Sequence, residues 1–165
     1  MKMREYEEYI NKQKEYEELG KALKKAQNDF EKTLPFNKNE MYWFISSDGE
    51  VHNEQWCMDS IDLARFNACN TFRTGKEAEK ERLRRIAVAK INQFRRECQG
   101  DWEPDWNNLK EDKYSITIDG DYFSIHETLM NTFNMFGYFR HESDCAKAIE
   151  LFVDDLEKWL DYETE

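Results

Sequence analysis

The stretch 65-RFNACNTFRTGKEAEKERLRRIAVAKINQFRREC-98 decides how this chain is read. Phe72-Arg73-Thr74 runs into Gly75-Lys76-Glu77, and Thr74 with Glu77 three residues on is the capping-box pattern of a helix start. Leu83, Ala87, Ile91, Phe94 and Cys98 then recur every three or four residues, the spacing of one buried helix face. A weaker copy follows later. Phe139-Arg140-His141 leads into a helix predicted from Asp144 to Tyr162, whose stripe is Cys145, Ile149, Phe152, Leu156 and Leu160.

Working back from the central helix, Met41 to Ser46 reads as a strand, rich in aromatic and β-branched residues. Asp48-Gly49 is a two-residue turn signal, and Val51 to Trp56 returns as its partner. Cys57 to Ala68 has no clear period; Asp59-Ser60-Ile61-Asp62 fits either a helical turn or a loop. Asn70 to Arg73 is expected as a third strand. Working forward, Gly100 to Asn107 is a loop holding Trp102 and Trp106. Lys113 to Ile118 alternates as a strand, Asp119-Gly120 repeats the turn, and Tyr122 to Ile125 returns. Asn131 to Arg140 supplies a further strand before the last helix.

The two halves match in order. The Asp-Gly turns lie 71 residues apart and the Phe-Arg pairs 67 apart, longer than solenoid repeats, so a duplicated α+β unit is expected. Ahead of both, residues 2–32 read as one helix ended by Pro35. Tyr9, Tyr16, Leu23 and Phe30 fall seven apart, with Lys12, Leu19 and Ala26 between them, a heptad seam. Either two copies pair through residues 2–32 as a homodimer, or the helix folds back on its own domain. The expected fold is therefore α+β: an N-terminal helix over 1–34, then a 41–165 domain with an internal repeat (41–98 and 113–162). Trp43, Phe44, Phe72, Leu83, Ile91, Phe94, Ile116, Phe139, Ile149, Phe152 and Leu156 are the expected core.

Composition narrows the class. Hydrophobic residues make up 39% of the 165, below the ~45–50% of globular chains. Aromatics at 15% make up the difference, since each buries a large area, and a folded protein is expected. No signal-peptide core and no membrane-spanning apolar run is evident, and the four cysteines are widely spaced without a CxxC pair. The expected setting is a reduced, cytoplasmic one with no membrane partner. The net charge of −11 is unevenly laid out: residues 76–97 carry eight bases and four acids, residues 98–165 five bases and seventeen acids.

No motif for catalysis or a cofactor accompanies this pattern, and the expectation is a non-enzymatic protein with no cofactor and no metal. His52, His126 and His141 are isolated and form no ligand spacing. A nucleophilic pair of Cys57 with His52 has no local support. Asp101, Glu103 and Asp105 in the tryptophan loop read as solvated surface, and no glycine-rich phosphate loop exists.

The outer helix faces are more informative. Arg82, Arg85 and Arg96 share one side of the central helix with Asn92, flanked by Arg84, Lys90 and Arg95. Glu150, Asp154, Glu157 and Asp161 align on the last helix at spacings of four, three and four. Both stripes fit plain solvated surface, or pairing across a dimer or between the halves. The acidic stripe also fits an imitation of phosphates, since carboxylates one turn apart recur every ~5 Å, close to the spacing along a nucleic-acid strand. The basic stripe fits direct nucleic-acid binding, with Trp102 and Trp106 as stacking platforms.

Tyr42-Trp43-Phe44-Ile45-x-x-Asp48-Gly49-x-Val51, then Trp56, Asp62, Arg65-Phe66 and Asn70-Thr71-Phe72-Arg73-Thr74-x-x-Glu77-Ala78-Glu79, resembles a family of small phage and prophage accessory proteins of Gram-positive bacteria. The resemblance covers most of the chain and implies a heptad-bearing helix, this aromatic hairpin and a closing strand–helix segment. It departs at Ala68-Cys69, where a glycine near the asparagine is expected. It implies a phage setting in a bacterial host cell and supplies no catalytic residue. The functional expectation is a phage protein that inhibits a host defence protein or nucleoprotein, such as a CRISPR effector nuclease. Glu150, Asp154, Glu157 and Asp161 are the expected contact residues. The alternative is a nucleic-acid-binding accessory protein that uses Arg82, Arg85 and Arg96.

Overall fold

Asp59 explains why the unclear segment after the first hairpin becomes helical. Its carboxylate accepts the N–H groups of Ile61 and Asp62 at 2.8 and 2.9 Å, satisfying donors that a helix start leaves orphaned. The result is a helix over Ser60–Asn67. In the computed structural model, which describes residues 3–120 and 122–163, eight principal elements follow in order. These are α1 (Met3–Glu31), β1 (Met41–Ile45), β2 (Val51–Gln55), α2 (Ser60–Asn67), α3 (Gly75–Gln99), β3 (Lys113–Asp119), β4 (Tyr122–Thr128) and α4 (Glu142–Leu160), closed by a 3-10 turn at Asp161–Glu163. The fold is α+β. Lys2, the first residue of the expected N-terminal helix, lies outside the described residues.

Each hairpin is antiparallel and forms a two-stranded sheet of its own. Ile45 pairs with Val51 and Met41 with Gln55; Asp119 pairs with Tyr122 and Lys113 with Thr128. The first turn is longer than the two residues expected. Ser46 and Glu50 close it, leaving Ser47, Asp48 and Gly49 as the loop, with Gly49 at φ 83° in the left-handed region. In the second, Asp119 still belongs to the ladder, paired with Tyr122, and Gly120 enters the turn at φ 60°, so the turn starts one place later than the Asp-Gly pair suggests; residue 121 is outside the described set.

The expected third strands are each reduced to a single bridged pair. Trp43 and Phe72 exchange N–H···O bonds at 2.9 and 2.8 Å, and Tyr114 and Phe139 do so at 3.0 and 2.7 Å. An asparagine takes over beyond each bridge. The Asn70 side chain donates to the Ile45 carbonyl at 2.8 Å, and that of Asn134 donates to the Ile116 carbonyl at 2.9 Å. Side-chain amides thus replace further ladder bonds and release the chain to enter the helix. Ile45 and Ile116 are 71 residues apart, the same offset as the Asp-Gly turns.

The capping box of α3 is formed: Glu77 N–H donates to Thr74 Oγ1 at 3.1 Å, and Thr74 N–H to the Glu77 carboxylate at 3.2 Å. His141 occupies the equivalent place on α4 and makes no side-chain cap bond. Two apolar clusters result. One gathers Phe36, Tyr42, Phe44 and Trp56 against Leu63 and Phe66. The larger one joins Ala87 and Ile91 of α3 to Ile116, Phe136, Phe139, Cys145, Leu156 and Trp159. So α3 packs on the first hairpin and also on α4. All eleven expected core residues are at least partly buried. Cys98, the last member of the α3 stripe, is exposed.

Candidate functional site

The outward face of α4 is set by what the inward face buries. Cys145, Ala148, Leu156 and Trp159 point into the core, and at 100° per residue Glu150, Asp154, Glu157 and Asp161 then fall on the opposite side. All four are exposed. Glu150, Asp154 and Glu157 make no ion pair among the described residues, whereas Asp155, one position round the helix, receives Lys90 of α3 at 2.6 and 2.8 Å. Lys90 thereby holds α4 on α3 with the acidic stripe turned outward. Leu151, 54% exposed, sits beside the stripe, an apolar member that charge spacing alone does not reveal. Lys147 and Lys158 flank it and are exposed.

The basic stripe is arranged differently. Arg82 makes a two-pronged contact with Glu79, both bonds at 2.7 Å. Arg84 does the same with Glu81 at 2.6 Å, and Arg85 shares Glu81 at 2.8 Å while reaching the Cys69 carbonyl. Hydrogen bonds from Arg84 and then Arg85 hold the Glu81 carboxyl below its ordinary pKa. Arg95 lies half-buried beneath Gly137 and donates to Asn92 Oδ1; burial, with help from Arg96, pushes its guanidinium pKa down. Of Arg82, Arg85 and Arg96, only Arg96 is exposed and without an acid partner among the described residues.

The aromatic loop is likewise turned inward. Trp102 Nε1 donates to Glu111 at 3.1 Å, and the Trp106 ring meets Tyr138 edge-on at 4.8 Å. Lys113, fully buried, lies 5.4 Å from the Trp106 ring and donates to the Glu111 and Asn108 carbonyls at 2.7 and 3.3 Å. These contacts fold residues 102–113 on themselves. Nothing in the alternating pattern of β3 marks Lys113 as buried.

The remaining candidates are not brought together. His52 faces Asp48 at 3.4 Å and stacks on Phe44, while Cys57 engages Asp62 through its backbone N–H at 2.7 Å. Among the described residues no group of three or more His, Cys, Asp or Glu side chains converges as a metal site. Open depressions among the described residues include a polar one of about 590 Å³ between Lys110, Tyr114, Arg140 and Ser143. A second, about 380 Å³, runs under the first turn between Ile45, Arg82 and Ile86, and a third of about 280 Å³ lies between Lys76 and Tyr162. No helix among the described residues is long and apolar enough to cross a membrane. Comparison with protein-family models, with curated proteins and with solved structures finds no match for this chain.

Proposed function

We propose that this is a non-enzymatic binding protein whose α4 face occupies a basic, nucleic-acid-binding groove on another protein. The observation that carries the reading is the asymmetry between the two charged stripes. The arginines of α3 are largely engaged by Glu79 and Glu81, whereas Glu150, Asp154 and Glu157 stand exposed and without ion partners among the described residues. A packed helix fixes the spacing of these carboxylates in advance, which suits them to a matching row of arginine and lysine. Leu151 adds apolar contact at the edge of the patch. In the phage setting that the resemblance implies, the partner is a host defence protein in the bacterial cytoplasm, with a CRISPR effector nuclease as the example to test.

The experiment is direct binding to a guide-loaded CRISPR effector nuclease, with DNA cleavage as a second readout. Glu150→Lys, Asp154→Lys and Glu157→Lys are combined in one variant. The reading expects the native chain to bind and slow cleavage, with the triple variant losing at least tenfold in affinity. Equal affinity for the two forms refutes it. A mobility-shift assay with single- and double-stranded DNA covers the basic face: salt-sensitive binding lost in Arg96→Gln would favour nucleic acid as the partner.

A further inference from the structure

Among the described residues, no other element packs along the exposed face of helix α1. From Asn11 to Phe30 every residue is exposed, and the seam includes Tyr9 at 57%, Tyr16 at 73%, Leu19 at 68%, Leu23 at 71% and Phe30 at 52%. Helices in proteins are stabilised mainly by packing of one apolar face, and propensity alone leaves isolated ones marginal. Local support among the described side chains includes a hydrogen bond from Gln13 to the Tyr9 hydroxyl at 2.9 Å and an ion pair of Asp29 with Lys32 at 3.6 Å, neither of which buries an apolar face. A row of exposed aromatic and leucine side chains on a fully solvated helix is an interface awaiting its other half.

We propose that the α1 seam closes on the same seam of a second copy of this chain, as an antiparallel two-helix coiled coil. Charge sets the direction. Glu8 to Glu18 carries four acids and two bases, and Leu19 to Phe30 three bases and one acid. Antiparallel pairing lays the acidic half of each helix against the basic half of the other, whereas parallel pairing sets like against like. The macrodipole favours the same polarity within one helix, but its influence fades within the end turns. This polarity runs through the middle.

The seam residues agree. A parallel dimer places Lys12 opposite Lys12 and repeats Tyr9 and Tyr16 against themselves. In antiparallel coiled coils the two kinds of seam position face each other, so Tyr9 meets Ala26, Tyr16 meets Leu19, and Lys12 meets Leu23. Tyr9 then faces the small Ala26, Tyr16 packs on Leu19, and the lysine stem lies along leucine. The five exposed seam side chains offer ~100 Å² each. Both copies together therefore bury ~1,000 Å² before flanking stems are counted, near the range of specific interfaces. Two copies of the acidic α4 face are carried on the resulting dimer.

The test uses the full chain of 20.0 kDa. Sedimentation equilibrium at up to about 100 μM is expected to give twice that mass. The exposed pair Leu19→Glu/Leu23→Glu is expected to give the single-chain mass, with the near-ultraviolet dichroism of the aromatic core unchanged. A monomeric native chain, any higher mass, or a variant that still dimerises overturns the interface. Direction is read from a nitroxide at Asn28→Cys, in a chain with Cys57, Cys69 and Cys98 changed to serine. Antiparallel helices hold the two labels more than about 30 Å apart at 1.5 Å per residue. A separation below about 20 Å, one helix pair side by side, overturns the antiparallel arrangement.

Discussion

Replacing Asp62 by alanine tests the reasoning about the first hairpin most sharply. Asp62 is 2% exposed, and its two oxygens have separate duties. One accepts the Tyr42 hydroxyl at 2.7 Å; the other accepts the Cys57 N–H at 2.7 Å. Arg65 donates to the same Tyr42 oxygen and to Glu54, and its guanidinium lies 3.5 Å over the Phe44 ring. Hydrogen bonds to a charged group contribute about 1.5–3 kcal/mol each. Two are lost, and relief from burying the carboxylate offsets part of that, so Asp62→Ala should cost about 3 kcal/mol. That is a large share of the ~5–15 kcal/mol of a typical domain. Tyr42→Phe removes the bond shared with Asp62 and the one accepted from Arg65, and should cost about 2 kcal/mol. Because both variants delete the Tyr42–Asp62 bond, the double variant should fall short of the sum by about 1 kcal/mol. Urea unfolding followed by dichroism measures all four chains. A cost below about 1 kcal/mol for Asp62→Ala, or strict additivity, would show that Tyr42, Asp62 and Arg65 do not act as one network.

Other outcomes follow from single positions. Cys69 adopts φ 52°, a conformation that costs a side-chain-bearing residue about 1 kcal/mol. Cys69→Gly should therefore raise stability by up to that amount, and an unchanged urea midpoint counts against strain there. Gly137 adopts φ 71° in the left-handed region, and a Cβ there would stand 2.8 Å from the Arg95 guanidinium, which would have to shift. Gly137→Ala should cost about 1–2 kcal/mol, mainly from the backbone conformation, checked by the same unfolding curves. Lys113→Ala removes the buried ammonium, its bonds to two carbonyls and its ion pair with Glu111, and should cost about 3 kcal/mol or more. Lys113→Met keeps the stem but also loses the ammonium and should cost most of the same, so a Met variant as stable as the native chain would contradict the caged-ammonium reading. Burial first, and then the bond to Asp62, push the Tyr42 hydroxyl pKa up to about 12 from an ordinary 10.0. The folded state thus holds this proton more tightly than the unfolded one. Its contribution is fully present below pH 10 and is lost as pH rises from 10 toward about 12. Tyr42→Phe should remove that part of the alkaline decline, as measured by urea midpoints at stepped pH.

The correspondence between the halves has a physical reading. Trp43 with Phe72 and Tyr114 with Phe139 make the same backbone exchange, and Asn70 and Asn134 hold the carbonyls of Ile45 and Ile116. The residues that carry the sequence resemblance belong to this machinery: Tyr42, Asp62 and Arg65 form the buried network, and Thr74 and Glu77 the helix cap. A motif of that kind specifies folding, which is why it points to no reaction.

Periodicity and turn chemistry determined most of the architecture from the sequence alone. The three- and four-residue stripes of α3 and α4, the Thr74–Glu77 cap and the alternating hairpins are local signals, readable because each depends on residues within one or two turns. Tertiary structure decided the rest. A strand confined to one bridged pair has no period, so Phe72 and Phe139 read as longer strands. Helix α2 owes its start to the Asp59 carboxylate and its anchoring to Tyr42, twenty residues from Asp62 in the chain. The burial of Lys113, Trp56 and Phe136 depends on contacts the chain makes only once folded. For the candidate site the division is similar. The spacing of Glu150, Asp154, Glu157 and Asp161 is written in the sequence, as is the basic row on α3. That Glu150, Asp154 and Glu157 face outward without ion partners among the described residues depends on neighbours in space, because Glu79 and Glu81 reach the arginines and Lys90 reaches Asp155 instead.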